Sequence, residues 1–256
     1  IQKEKRIIDI EYAQIEKFDY FPEPKLTGPS AYVSIMEGCN KFCSYCIVPF
    51  TRGREISRPA QDILAEIEII ISKGAKEIYL LGQNVNSYCD PNKKTTLADL
   101  IYETAKFDEV KRIRFTTSHP AEFGDDLIAT FATEPKLANQ LHLPIQSGSN
   151  SILKLMRRTY TQEEYREIIA KVRKTRPNIS ISTDLIVGFP GETEEDFAST
   201  MEIVKDLNFD SSFSFIYSPR PNTTAIKLKD YVTLAEKKQR LTILQNQLAL
   251  QTRSYN

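Results

Sequence analysis

The sequence predicts an α/β fold, in which a parallel sheet is covered by helices. Three observations carry that prediction. Six apolar runs of strand length alternate with six stretches of helical periodicity. Five of the nine glycines, Gly38, Gly82, Gly148, Gly188 and Gly191, lie just past the ends of those runs. Such positions suit strand-to-helix turns, and also the close approach of a ligand to the backbone. A chain of 256 residues, 41% apolar and 27% charged, is also long enough to bury a core without disulfides. With right-handed crossovers, six strand–helix units form an open or partial β/α barrel, or a doubly wound sheet.

Residues 1–30 are mixed and charged, with turns marked by Pro22, Pro24, Gly28 and Pro29. They read as a lead-in or linker. Strands are predicted over 31–37, 77–83, 112–118, 140–146, 180–188 and 211–218. Helices are predicted over 59–73, 97–106, 125–131, 161–175, 193–207 and 233–252. Pro59 opens the first helix, where its missing N–H costs no bond. Leu64, Ile67 and Ile71 recur at helical spacing, whereas Ile78, Leu80 and Leu81 read as a buried strand. Thr161 stands three residues before Glu164, and Thr193 three before Asp196, the pattern of a capping box.

Lysine plus arginine equals aspartate plus glutamate at 34 each, which argues against nucleic-acid binding by bulk positive charge. The charge is uneven along the chain. Residues 151–176 hold eight basic and three acidic side chains, and residues 184–210 hold eight acidic ones and only Lys205. No apolar run approaches the roughly 18–20 residues of a membrane span. The opening shows no signal-peptide pattern. It starts at Ile1 and is polar, as expected of a piece of a longer protein.

Three of the four cysteines fall within eight residues, in Cys39-Asn40-Lys41-Phe42-Cys43-Ser44-Tyr45-Cys46. A secreted disulfide framework spreads its cysteines, so this cluster points to a metal site in a reducing compartment. Thiolates on one short loop wrap an iron–sulfur cluster or a zinc ion. A four-iron cluster with three local cysteines keeps one iron open to a substrate or cofactor. Cys89, after the second strand, is the residue that would instead complete a closed four-cysteine site.

The three-plus-two spacing in a six-unit β/α chain resembles the radical S-adenosylmethionine superfamily. The flanks narrow the resemblance to its methylthiotransferases. They are Glu37-Gly38-Cys39 through Pro49-Phe50-Thr51-Arg52-Gly53-Arg54-Glu55, Leu81-Gly82-Gln83-Asn84-Val85-Asn86-Ser87-Tyr88, and Asp184-Leu185-Ile186-Val187-Gly188-Phe189-Pro190-Gly191-Glu192-Thr193. Thr116-Thr117-Ser118-His119-Pro120 and Leu141-His142-Leu143-Pro144-Ile145-Gln146-Ser147-Gly148-Ser149 favour the branch that modifies isopentenyl-adenosine in tRNA. Sister enzymes act on threonylcarbamoyl-adenosine or on a ribosomal protein.

The resemblance implies a partial (β/α)6 barrel over residues 31–256. It implies a 4Fe-4S cluster on Cys39, Cys43 and Cys46, with S-adenosyl-L-methionine on the open iron. Tyr45, Gln83, Asn84, Ser118, Gln146, Ile186, Val187 and Gly188 would contact that cofactor: Tyr45 and residues 186–188 its adenine, Gln83 and Asn84 its amino group, Ser118 and Gln146 its ribose or carboxylate. Arg52, Arg54, Arg157 and Arg158 would face substrate, since guanidinium groups pair well with phosphate and carboxylate. The family further implies an N-terminal domain with a second 4Fe-4S cluster and a small C-terminal RNA-binding barrel. Residues 1–30 would then be the connection from the first of these. The partners implied are the tRNA anticodon stem-loop and a flavodoxin or ferredoxin as electron donor. The enzyme is expected to be a cytoplasmic monomer. Of the two histidines, His119 is expected near the pocket and His142 in the core. Cys89 lies outside the family motif.

Overall fold

The computed structural model describes Phe18, Leu26 and residues 28–255. The linker expected over 1–30 lies almost wholly outside the described residues. Three parallel strands form the first half of the sheet: β1 (Ser30–Ser34), β4 (Glu77–Leu81) and β5 (Arg112–Phe115), in that order. Three more form the second half: β6 (Gln140–His142), β7 (Ser180–Val187) and β8 (Ser211–Ile216). The backbone before β6 joins the halves. Ile113 donates to Lys136 O at 2.8 Å, and Ala138 donates to Ile113 O at 2.9 Å. Six strands thus run in chain order as one arc. Among the described residues no ladder joins β8 back to β1, so the barrel is partial.

Helices cover the outside: α2 (Ala60–Ser72), α3 (Leu97–Ala105), α4 (Asp125–Thr133), α6 (Gln162–Thr175), α7 (Glu194–Leu207) and α8 (Leu234–Tyr255). The capping boxes expected at Thr161 and Thr193 are both formed, and Thr96 with Asp99 forms a third. Strand alternation explains the layering. Val33, Ile78, Leu80, Ile113, Ile181 and Leu185 face outward and are fully buried against Ile63, Ile67, Leu100, Phe131, Ile169 and Ile203 of the helices. Each such side chain contributes about 1.5–3 kcal/mol by leaving water.

The inner face is polar. Tyr32, Tyr79 and Arg114 are in register across β1, β4 and β5, and Asp184 is in register with Phe213 on β8. Arg114 donates to Glu77 Oε1 at 2.8 Å and also bonds Gln140. Tyr32 and Phe213 remain 65% and 61% exposed, as side chains lining an open concavity would be. Among the described residues, no helix is long and apolar enough to cross a membrane.

Three elements differ from the sequence reading. The strand expected over 31–37 ends at Ser34, and β2 (Met36–Glu37) turns off to pair antiparallel with β3 (Ile56–Ser57). The strand expected over 140–146 is regular only to His142, because Pro144 has no N–H for the ladder. A short helix, α5 (Asn150–Leu155), follows it, with Ser149 as its N-cap. At six residues it is too short to show a periodicity in sequence.

Candidate functional site

The two-residue ladder of β2 and β3 closes the base of a loop that carries three cysteines. Gly38 opens the loop at φ +85°, and a β-carbon there would strike the Arg54 carbonyl. Its N–H donates to Gln83 Oε1 at 2.7 Å, and Cys39 N–H donates to Gly53 O at 3.3 Å. Ser44, midway along, is buried and bonded three ways. Its N–H donates to Met156 O at 2.9 Å and its Oγ to Leu155 O at 2.8 Å. Its carbonyl accepts from Ala225 N–H at 2.8 Å. The short helix α1 (Val48–Thr51) ends the run. Gln83, in the first half of the sheet, and residues 155–156 and 225, in the second, therefore hold the loop from both sides.

Cys39, Cys43 and Cys46 are all unpaired; Cys43 is buried and the other two are half-buried. Burial pushes the Cys39 thiol up to about 11, with the charges of Cys43, Glu55 and Cys46 adding to the shift and the Lys41 backbone N–H opposing it. Burial also raises the Cys46 thiol, and Cys43 adds to it. The three thiols therefore share one electrostatic neighbourhood, and a bound metal would displace their protons. Among the described residues, no three His, Cys, Asp or Glu side chains are gathered closely enough to hold one metal ion. A closed zinc site needs its sulfurs about 2.3 Å from a single centre. A four-iron cluster takes each thiolate on a different iron and accepts a wider spread. Cys89 is exposed, with its Sγ 3.9 Å from Asp90 O and its N–H donating to Ser57 Oγ.

The residues expected to contact a cofactor lie at the carboxyl ends of the strands. Asn84 is buried. Its Nδ2 donates to Glu122 Oε2 at 2.6 Å, and its Oδ1 has no partner. Ser118 Oγ is also buried without a partner. Gln146 has φ +74°, and its backbone bonds Asp184 O and Ile186 N–H on β7. Gly188, at φ +65°, donates to Glu192 Oε2 at 2.7 Å. Ile186 is half-buried and Val187 fully buried. The Tyr45 ring stands edge-on to Phe189 at 6.3 Å and packs in a cluster with Ile152, Met156 and Tyr217. A cavity of about 460 Å³ opens beside the ends of β1, β4 and β5, lined by Ser34, Arg52, Leu81, Gln83, Thr116 and Thr117 among others; of the residues expected to contact a cofactor, Gln83 is the one that lines it.

The arginines divide. Arg52 is exposed and stands 3.6 Å from Glu37; Arg54 and Arg157 are exposed. Arg158, expected to face substrate, turns inward. Its guanidinium donates to Cys43 Sγ at 3.5 Å, to Pro144 O at 2.9 Å and to Tyr160 Oη at 2.9 Å. His119 is buried, with Nδ1 accepting from Ala121 N–H at 3.3 Å and Nε2 unpartnered. His142 is not in the apolar core. It lies on the inner face, bonded to Ser182 Oγ at 2.9 Å and 3.5 Å from Asp184 Oδ2.

Sequence reasoning missed Ser44, Glu122 and Tyr160. Glu122 bonds both Lys41 of the cysteine loop and Asn84. Tyr160 Oη holds the Ile145 carbonyl at 2.8 Å. Backbone strain marks the same place. Phe42, Thr117, Gln146 and Arg157 are four of the seven non-glycine residues with positive φ among those described. Strain of this kind persists where surrounding contacts enforce it, as at ligand sites.

Known proteins resemble this chain in sequence and in fold. The family model of the radical SAM superfamily matches residues 33–204. The chain is 56% identical over 251 residues to a tRNA-2-methylthio-N(6)-dimethylallyladenosine synthase of Coxiella burnetii, covering 97% of this chain and 57% of that protein. It is 54% identical over 259 residues to the synthase of the same name from Legionella pneumophila, covering 100% of this chain and 58% of that protein. The chain thus spans a little over half the length of these relatives. Among solved structures, the radical S-adenosylmethionine methyltransferase TsrM from Kitasatospora setae superposes with a TM-score of 0.63 at 18% identity, covering 76% of this chain and 38% of that one. Coproporphyrinogen III oxidase from Escherichia coli superposes at 0.55 with 23% identity, covering 91% and 54%. These two likenesses concern the fold. From the cysteine loop, the open strand arc and the extent of the match together, the chain belongs to the radical S-adenosylmethionine superfamily.

Proposed function

We propose that this chain is the radical domain of a tRNA methylthiotransferase that converts N6-isopentenyladenosine next to the anticodon to its 2-methylthio derivative. The observation that carries the reading is the loop of three free thiols at the strand carboxyl ends, beside the buried, unpartnered Asn84 Oδ1 and Ser118 Oγ. Buried polar atoms without partners are costly, so a rim that keeps two of them suits a polar ligand. Identity of 54–56% to synthases of that name supports the substrate.

Cys39, Cys43 and Cys46 would hold a 4Fe-4S cluster. Bound there, the cluster supplies the single electron for reductive cleavage of S-adenosyl-L-methionine, the chemistry of this superfamily. Asn84 and Ser118 would offer their unused atoms to the amino-acid and ribose parts of that cofactor, with Gln83 and Gln146 beside them. Gln83 has a second task, since its Oε1 already orients Gly38. Tyr45 and residues 186–188 form an apolar shelf for adenine. Arg52, Arg54 and Arg157 are exposed and suited to RNA phosphates. The modified base would be read splayed out of a single-stranded loop, because a base inside a helix is beyond reach.

The reading further includes a second 4Fe-4S cluster in an N-terminal domain, a flavodoxin or ferredoxin as donor, and a monomer working in the cytoplasm. Its test is anaerobic reconstitution, followed by assays of iron, sulfide and deoxyadenosine release under dithionite. Iron bound in dependence on the three cysteines, with S-adenosylmethionine cleaved, is expected. Zinc in place of iron, or no cleavage, would overturn it. Binding of isopentenylated, threonylcarbamoylated and unmodified anticodon stem-loops then separates this substrate from those of the sister enzymes.

A further inference from the structure

Arg158 carries a charge that its surroundings do not balance. Its Nη1 donates to Cys43 Sγ at 3.5 Å, its Nη2 to Pro144 O at 2.9 Å and its Nε to Tyr160 Oη at 2.9 Å. Its guanidinium also lies 5.3 Å from the Tyr160 ring centroid. Among the described residues, no carboxylate lies within ion-pair distance of it, whereas Lys41, Arg52 and Arg58 pair with Glu122, Glu37 and Glu66. A half-buried guanidinium without a counter-ion is expensive. Of the groups it touches, the Cys43 thiol is the one that gives up its proton when metal binds.

The arrangement is fixed from both sides. Arg157 takes a left-handed backbone at φ +58°, turning the chain just before Arg158. Arg158 N–H donates to Leu153 O at 2.8 Å, which ties it to α5. Tyr160 Oη donates to Ile145 O at 2.8 Å, so the aromatic holding the guanidinium is itself held by the β6 rim. Cys43 is the buried member of the cysteine triplet. Its surroundings are poor in water, which raises the weight of each nearby charge.

Reduction adds one negative charge to an iron–sulfur cluster. A fixed cation that hydrogen-bonds a ligating sulfur therefore favours the reduced form. We propose that Arg158 is a positioning residue that raises the reduction potential of the cluster through Cys43 Sγ, rather than a ligand for substrate phosphate. The inference rests on the proposed function only in requiring a cluster on this loop. The reaction measured is one electron entering the cluster from a chemical reductant, with no protein bond made or broken.

The test uses the reconstituted chain, its R158Q and R158K variants, and a dye-mediated redox titration followed by electron paramagnetic resonance. R158Q should reduce with an equilibrium constant at least about tenfold less favourable, a downward shift of about 59 mV for one electron. R158K keeps the charge without the planar fork and should fall between R158Q and wild type. Affinity for S-adenosylmethionine and for an anticodon stem-loop should stay within about twofold. A potential in R158Q equal to that of wild type overturns the proposal. So does a loss of stem-loop or cofactor affinity at unchanged potential. Loss of iron from both variants while the thermal unfolding transition is retained also overturns it, in favour of a role in holding the loop. Wild-type chain that takes up no iron defeats the functional reading instead, so the two failures are distinguishable.

Discussion

Ser44 Oγ donates to Leu155 O at 2.8 Å and so fastens the middle of the cysteine loop to the end of α5. The serine is only 3% exposed. Removing its hydroxyl leaves the part-buried Leu155 carbonyl without that donor, at a cost of about 0.5–1.5 kcal/mol. Ser44→Ala should therefore lower the melting temperature by about 2–4 °C for each kcal/mol lost. Differential scanning calorimetry checks this, and an unchanged transition would show that the bond adds nothing to stability.

Gly38 makes a sharper case. At φ +85° it already sits where side chains are disfavoured, and a β-carbon would meet the backbone of Arg54. Backbone cannot swing aside as a flexible side chain would. Gly38→Ala should open the base of the loop and abolish iron uptake. Gly74→Ala is the control: φ is +104°, but nothing lies within 4 Å of the added carbon. It should cost some stability and leave iron uptake intact. Equal iron in both variants would contradict the role given to Gly38.

Much of this was legible in the sequence, and the reason is local. Strand alternation, capping boxes and a cysteine triplet are short-range signals, so the six parallel strands and their helices stand near their expected positions. The paired β2 and β3 were illegible because two residues carry no period. The inward turn of Arg158 depends on its meeting Cys43 across 115 positions of sequence, which no spacing rule conveys. His142 deceived for a related reason. In an apolar run it reads as core, but the partial barrel leaves its inner face polar and open, and there it finds Ser182 and Asp184.

The cysteines should separate cleanly under substitution. Cys39→Ala, Cys43→Ala and Cys46→Ala should each lose bound iron and S-adenosylmethionine cleavage while the fold persists. Cys89→Ser should keep both, because that thiol stands among Ser57, Asp90 and Thr96, apart from the loop's own contacts. Iron and sulfide analysis after anaerobic reconstitution decides it. Loss of iron from Cys89→Ser would instead indicate a closed four-cysteine site.

His119 should make stability depend on pH. Burial, followed by the charges of Arg158 and Lys41, holds its imidazole at about 2, against 6.5 unperturbed. Between those values the unfolded chain binds a proton that the native one refuses. The contribution is therefore complete above pH 6.5 and is lost as pH falls, at about 1.4 kcal/mol per unit. His119→Asn keeps an acceptor for Ala121 N–H but cannot titrate. Its unfolding free energy should fall less steeply than that of wild type between pH 6.5 and 5. Parallel pH profiles would refute the assignment.

Arg52 and Arg54 stand on the exposed side of the loop, opposite in role to Arg158. If each meets an RNA phosphate, removing both should reduce the salt dependence of stem-loop binding as well as the affinity. Each phosphate contact on single-stranded RNA adds about 0.7 to the slope of log K against log salt. The double variant Arg52→Ala, Arg54→Ala should therefore bind an isopentenylated stem-loop with a slope shallower by about 1.4. S-adenosylmethionine affinity should change less than stem-loop affinity, although Arg52 lines the cavity that Gln83 also lines. Arg52 must also leave Glu37, 3.6 Å away, to reach a phosphate. Fluorescence anisotropy across salt concentrations reads both quantities. An unaltered slope would place the RNA on another face of the domain.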